Sequence, residues 1–489
     1  MKKIMSILLI LLVHNSFAQF NVFGDAKVNV MKPTYLIVQN DLNVNNGVIT
    51  SFGKLTVKGN IKNNDTVILK SDASMLNDGN ITGTGAFIIE RSLSSGQTHY
   101  VSQPISSATT DYFSGGFSHL YDEAITSWAP LAPGNGLNVM EAYAVLFFAN
   151  KTLRFVGTPN YGETNKSIHY AGNGWNLVGN PYPSPVDWES AGVHTINIDR
   201  TIYFWNGENY AYYLGGISPY QSPVFIGEVS RYIPAMQGFF VKAHDTGSIS
   251  FDNTTRLHND TLLFKKLNTE RPYEHILLET EYQGIKDEAL IAFISVASSS
   301  FDGNTDAYKL FSSNSNTPQI FSYKNDNAKV AINSLPEVNK DLVIPLGFQG
   351  IANKQYTIKC SSVNLNDINE VYLEDRQNNV FFSMNNNAVY HFTHKATDTE
   401  NRFFLRFSKN SSDEANDNFN IYSSDNILYI SGFHSDLDVY IYNVLGEEIN
   451  RINLLQSSQH IMNLDLATGT YIVKVISDDQ AQTEKIFIK

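Results

Sequence analysis

Between Phe20 and Glu90 the chain is written in apolar pulses of two or three residues, such as Leu36-Ile37-Val38, Leu55-Thr56-Val57, Val67-Ile68-Leu69 and Phe87-Ile88-Ile89. Asn, Asp and Gly divide almost every pulse from the next. Runs this short suit stacked strands of a solenoid or a long meander, and no helical period survives in them. No fixed repeat length is legible. Asn and Asp at the corners tolerate left-handed backbone angles, which accounts for their abundance without a ligand. The same bias runs through the whole chain. Aromatic residues make up 12% and charged residues 17%, a balance that favours half-buried strands over charged helices. The expected class is all-β and multi-domain, and 489 residues allow three or four such units.

The stretch from residue 419 to 489 predicts a small immunoglobulin-like sandwich. Leu437-Asp438-Val439-Tyr440-Ile441 and Thr470-Tyr471-Ile472-Val473-Lys474-Val475 alternate with the two-residue period of a strand that has one face on a core. Gly446 and Gly469 sit at the breaks, where they suit backbone angles that a Cβ opposes. Lys485-Ile486-Phe487-Ile488-Lys489 reads as a last strand. The Asn443-Val444-Leu445-Gly446-Glu447-Glu448 turn, the run from Leu466 to Val475 and the Lys485 segment resemble, in order, the type A C-terminal sorting domain of type IX secretion cargo in Bacteroidetes. The resemblance implies a secreted or cell-surface protein, with the outer-membrane translocon and its processing machinery as partners. It makes Gly446, Gly469, Tyr471 and Lys485 the candidate sorting signal. The alternative is a small module that only adheres or spaces.

The middle of the chain divides into two further β regions, residues 96–260 and 261–409, after a solenoid-like or meander region at 19–95. In Gly174-Trp175-Asn176-Leu177-Val178-Gly179-Asn180-Pro181-Tyr182-Pro183-Ser184-Pro185, three prolines in five residues forbid ladder donors, so a strand ends near Val178 and runs into an extended corner. With Ile233 to Val241, this segment resembles a β module of large surface proteins in the same bacteria, which carries no activity over. Thr201 to Trp205 and Tyr210 to Leu214 flank Asn206-Gly207-Glu208-Asn209, a hairpin signal. Tyr203, Trp205, Tyr210 and Tyr212 are candidate glycan contacts if exposed, because flat rings match the C–H face of a pyranose; the alternative is cross-strand pairs inside the core. Residues 261–409 predict a larger sandwich or jelly roll, similar to the β domain that often precedes the sorting domain in such cargo. Residues 410–418 predict a flexible linker open to a processing protease.

Met1-Lys2-Lys3, the apolar run from Ile4 to Val13 and Ser16-Phe17-Ala18 predict a secretory signal over residues 1–18, cut between Ala18 and Gln19. No stretch reaches the roughly 18 apolar residues that a membrane helix needs. The net charge of −13 disfavours nucleic acid, whose phosphates require cations, and anionic membrane surfaces. The lone cysteine, Cys360, alternates with Tyr356 and Ile358 and reads as a buried strand thiol, so no intrachain disulfide is available.

Nothing in the sequence carries enzyme chemistry above background. No serine elbow, zinc-helix or phosphate-loop motif occurs, and no cofactor is expected. His391 and His394 are the nearest histidine pair, but three residues apart on a strand means opposite faces. Asp302-Gly303-Asn304-Thr305-Asp306 opens like a calcium loop yet has Ala307 and Ser313 where glycine and glutamate belong, so an Asx-rich turn is expected. Asp187 and Glu189 flank Trp188 as a conceivable glycosidase pair. Asp65-Thr66-Val67 and Asp260-Thr261-Leu262 resemble short O-glycosylation acceptors. The expectation is a non-catalytic passenger, adhesive or structural, with a carbohydrate-binding module and a glycan-active enzyme as alternatives.

Overall fold

The computed structural model describes residues 19–217, 222–259, 271–366, 368, 370–378, 380–399, 402–408, 420–424, 426–431, 435–456, 459–477 and 481–488. The expected leader with Ala18, the Asp260-Thr261-Leu262 acceptor and the linker at 410–418 lie outside the described residues. The protein is nearly all β. Among the described residues the only helical turns are the short 3-10 segments Thr110–Phe113 and Asn253–Thr255. Two compact units form, Met1–Ile198 with Arg231–Leu263, and Asp199–Ser230 with Phe264–Lys489. The region expected over 96–260 is therefore divided, because its aromatic hairpin packs with the second unit.

The first unit begins as a solenoid of parallel strands. Leu42 pairs with Ile61 and Ile61 with Ile81, while Val48 pairs with Thr66 and Thr66 with Ala86. Each rung thus repeats after about twenty residues, a period that insertions at the corners hide in the sequence. Leu42, Val44, Ile49, Leu55, Val57, Ile61 and Val67 are wholly buried along the axis. Asp25 and Asn46 take the left-handed angles expected of such residues, φ +60° and +51°, and other corner Asn and Asp residues act through their side chains. Asp41 Oδ1 accepts the Asn60 amide at 2.8 Å, Asn60 Oδ1 accepts the Asn80 amide at 3.0 Å, and Asn64 Nδ2 donates to Asn45 Oδ1 at 2.6 Å. Ion pairs one rung apart, Lys58 with Asp78 at 3.1 Å and Lys70 with Glu90 at 3.0 Å, continue the ladder outside. Gly83 adopts φ +101°, and a Cβ there would stand 2.0 Å from the Asn63 carbonyl oxygen.

Beyond the solenoid, the same unit stops the Trp175–Gly179 strand at the predicted proline corner. Asn180 holds the corner: its Nδ2 donates to the Ser184, Ile233 and Pro234 carbonyls at 2.9, 3.1 and 2.8 Å. Arg256, stacked 4.9 Å from the Tyr182 ring, donates to the Met75 carbonyl at 3.0 Å and so ties the corner to a solenoid rung.

In the second unit eleven strands form one sheet whose chain of neighbours runs from Val380–Ser383 to Val389–His394. Phe382 and Tyr390, on those two terminal strands, lie 5.3 Å apart, so the sheet rolls over on its own core. Cys360 is wholly buried in that core with Tyr356 and Ile358, and burial pushes its thiol up to about 12. The chain beyond Asn420 makes a two-sheet sandwich. Asn420–Ser424, Ile427–Ser431 and Gln459–Asn463 form one sheet; Glu448–Leu454, Leu437–Asn443, Gly469–Ile476 and Ala481–Ile488 form the other. Ile430, Val439, Ile441, Val473, Val475 and Ile488 fill the space between them.

Two tyrosines of the small sandwich are buried in the core of the larger one. Tyr422 lies 4.9 Å from the Tyr390 ring and 5.5 Å from Phe382, Tyr429 stacks at 5.0 Å on His391, and the Tyr422 hydroxyl accepts the His391 amide at 2.8 Å. This contact closes the open end of the rolled sheet with aromatic surface.

Two measurements check these assignments. Gly83→Ala should destabilise the solenoid by at least about 1–3 kcal/mol in urea unfolding, since both the φ and the neighbouring carbonyl oppose a Cβ. Tyr422→Phe should accelerate hydrogen exchange at the His391 amide and cost about 1–3 kcal/mol, because a buried donor loses its acceptor.

Candidate functional site

Two places in the second unit are built with more care than packing requires. The first is the turn Asn443 to Glu447. Gly446 takes φ +85° with open space where a Cβ would sit. Asn443 organises the rest: its Oδ1 accepts the Leu445 and Glu447 amides, both at 3.0 Å, and its Nδ2 donates to Glu447 Oε2 at 2.7 Å. The result lifts Val444 and Leu445 into solvent, 66% and 82% exposed. Gly469 is different from the expectation. Its φ is not left-handed, and a Cβ would make only ordinary contacts of 3.7 and 3.8 Å with Tyr471 and Ala467, because the residue already belongs to a regular strand. Tyr471 sits half-buried at the core's rim and donates to the Ala467 carbonyl at 2.9 Å; Lys485 is exposed on the neighbouring strand, opposite Ile472.

The second place is a cleft of about 860 Å³ between the Asn206–Asn209 turn and the antiparallel strands Glu274–Tyr282 and Ile285–Phe293. The two strands meet at the two-residue turn Gln283-Gly284, with φ of +53° and +85°, the twist-matched geometry of a tight hairpin. That register sets Glu279 directly opposite Glu288. Lys286 pairs with Glu279 at 3.0 Å and with Glu281 at 3.4 Å, while Glu288 Oε2 accepts the Gly227 amide at 3.1 Å. Burial first, and then the Glu279 and Asp287 charges, hold the Glu288 carboxyl above the ordinary range. The turn itself is fixed from both sides. Asn206 Oδ1 accepts the Glu208 and Asn209 amides at 3.0 and 2.9 Å, and the Ser312 and Thr317 hydroxyls donate to the Glu208 carbonyl at 2.9 and 3.1 Å.

The aromatic hairpin forms as predicted, with Tyr203 opposite Tyr212 and Trp205 opposite Tyr210. Its rings do not make an open platform. Tyr203 and Tyr212 are wholly buried, Tyr210 is 8% exposed and Trp205 is half-buried, since the Tyr308 to Leu310 segment covers that face and the Tyr212 hydroxyl donates to the Leu310 carbonyl at 3.3 Å. Edge-to-face contacts of 5.2 and 5.1 Å join the two pairs. The hairpin's contribution to the cleft is its turn and the edge of Tyr210.

The other candidate residues have structural partners. Asp187 and Glu189 share Arg231, whose Nε meets Asp187 Oδ1 at 2.6 Å and whose other nitrogen meets Glu189 Oε2 at 3.0 Å, so they are one guanidinium clamp and not a pair facing a substrate. Asp302 caps its own turn by accepting the Asn304 amide at 2.9 Å, and Asp306 is spent on buried Lys324 at 3.0 Å. His391 goes to Tyr429, and His394 approaches Asp398 at 3.3 Å. Thr66 donates to its neighbour Asp65 at 3.0 Å on a solenoid corner. Gln19, the first described residue, is exposed.

The turn makes a contrast that can be measured. Gly446→Ala should cost about 1–2 kcal/mol from the left-handed backbone, and Asn443→Ala should lose two backbone bonds worth about 0.5–1.5 kcal/mol each. Gly469→Ala should stay within roughly 0.5 kcal/mol. Hydrogen exchange at the Val439 and Val473 amides reads all three.

Two family models match the chain. No curated protein matches the chain. A secretion system C-terminal sorting domain matches residues 415–489, which covers the small sandwich and its Asn443 turn. The protein is therefore cargo of type IX secretion, addressed to the outer cell surface or the extracellular space, and its last domain engages that machinery. Residues 19–407, which include both the solenoid and the cleft, match one family model over more than half of the chain, so the chain belongs to the family described as a domain of unknown function (DUF8693).

Proposed function

We propose that the passenger works by contact and not by turnover: a non-catalytic, adhesive or structural surface protein, delivered after removal of a leader between Ala18 and Gln19. The observation that carries this reading is the use of its buried charges. Lys324 with Asp306, Lys309 with Asp287, and Arg402 with Asp375 and Asp398 are almost completely buried pairs, each consumed inside the fold. Breaking one such pair strands a charge, so these groups set register and leave little for chemistry. The solenoid by itself also offers a stiff, stacked face of the kind that spacing and adhesion use.

Loss of residues 419–489 should hold the passenger in the periplasm, detectable by fractionation, with lowered protease resistance where Tyr422 and Tyr429 are taken out of the larger core; normal surface or medium levels would contradict the assignment. The purified protein should bind cells or matrix yet release no product from a broad glycan and peptide panel, and catalytic turnover by any member would overturn the contact reading.

A further inference from the structure

We propose that the cleft between the Asn206–Asn209 turn and the Glu274–Tyr282 and Ile285–Phe293 hairpin is a saccharide site that takes neutral or amino sugars and rejects acidic ones. This deepens the reading of the passenger as a binding protein and rests on it. The volume, about 860 Å³, is in the range that encloses a small ligand of one to three rings.

The lining decides the chemistry. Two carboxylates directly opposite on paired strands repel one another, and a sheet gains nothing from that arrangement. They are not answered alike: Glu279 has Lys286 in a direct ion pair, whereas among the described residues Glu288 has one backbone donor and no direct ion pair, with Arg271 and Lys309 acting on it only through the field of their charges. With Glu208 and Glu228 on the lip, four carboxylates face one arginine and one lysine. The lysine is committed to Glu279 and Glu281, and Arg271 lies 5.0 Å from the Phe225 ring with its terminal nitrogen on the Phe225 carbonyl at 3.3 Å. An anion entering here would meet an excess of negative charge, while hydroxyl and ammonium groups would find acceptors.

Apolar ligands fit poorly. Phe225 is 7% and Tyr210 8% exposed, so each offers an edge and not a face. Buried polar atoms without partners among the described residues, Arg271 Nε and Ser361 Oγ, add a donor and a hydroxyl to the wall. A polyhydroxylated ring answers all of these at once, as donor to Glu288 and Glu279 and acceptor from Ser361. No group of three His, Cys, Asp or Glu with metal-holding geometry occurs among the described residues, so the carboxylates are not arranged as a cation cage. The turn that forms the rim is pinned by Asn206, Ser312 and Thr317, which holds the site in shape before any ligand arrives.

Titration calorimetry on the exported full chain, with N-acetylglucosamine and its oligomers, galactose, glucosamine and glucuronic acid as probes, tests the assignment. At least one neutral or amino sugar should bind saturably, glucuronic acid should not, and Glu288→Gln should weaken binding at least tenfold while Glu337→Gln, outside the cleft, leaves it unchanged. Glu279→Gln gives the same reading if Glu288→Gln lowers the melting temperature. Absence of saturable binding by every sugar, preference for glucuronic acid, or unchanged affinity in both cleft variants would overturn the site. Adhesion to cells that persists while no sugar binds would overturn this site and leave the contact reading standing.

Discussion

Lateral pairing of strands is the interaction on which everything else depends. The chain has one cysteine, buried, and no helix longer than a 3-10 turn among the described residues, so backbone donors and acceptors must find partners on neighbouring strands. The solution changes along the chain. Parallel rungs stack in the solenoid, where glycine and asparagine corners let one rung pass over the last. Antiparallel hairpins take over afterwards, and in the second unit the sheet rolls until its ends meet around the Phe382 and Tyr390 rings.

Charge follows the same logic. In most of the second unit an acidic residue that leaves the surface is answered by a cation: Asp306 by Lys324, Asp287 by Lys309, Asp375 by Arg402. Such pairs add little net stability, but they penalise any register that separates them. Glu288 departs from the pattern, and it does so in a cleft. Its carboxyl is held above the ordinary range by burial and by neighbouring carboxylates, as those of Asp287 and Asp306 are by burial, but its direct partner is a backbone amide and not a cation.

Much of this is legible in the sequence because the strand period is two. Alternation alone places Val439 and Val475, or Ile358 and Cys360, on buried faces, and the proline corner after Val178 declares itself through missing donors. The tail's turn, strand and terminal segment carry the export assignment. Other features are hidden for physical reasons. The twenty-residue rung is blurred by variable corners, and its asparagine ladders appear only once residues a rung apart are stacked. Gly469 misleads because a glycine beside a turn looks the same whether its φ is positive or extended. The cleft depends on register: Gln283-Gly284 is a tight-turn signal that fixes Glu279 opposite Glu288, but only if both strands are extended to meet it. The aromatic ladder is legible as a hairpin, whereas its burial comes from the Tyr308 to Leu310 segment, distant in sequence.

Export and passenger are separable in this architecture. The small sandwich has its own core and its own ordered turn, and it meets the larger sandwich through two tyrosines. That separation makes sufficiency testable. Joining residues 415–489 to an unrelated, disulfide-free reporter with a leader should carry the reporter to the cell exterior in a host with type IX secretion, and Gly446→Ala in the fusion should reduce its yield outside. A reporter that stays in the periplasm while the native chain is exported beside it would contradict the account, because the address would then lie in the passenger.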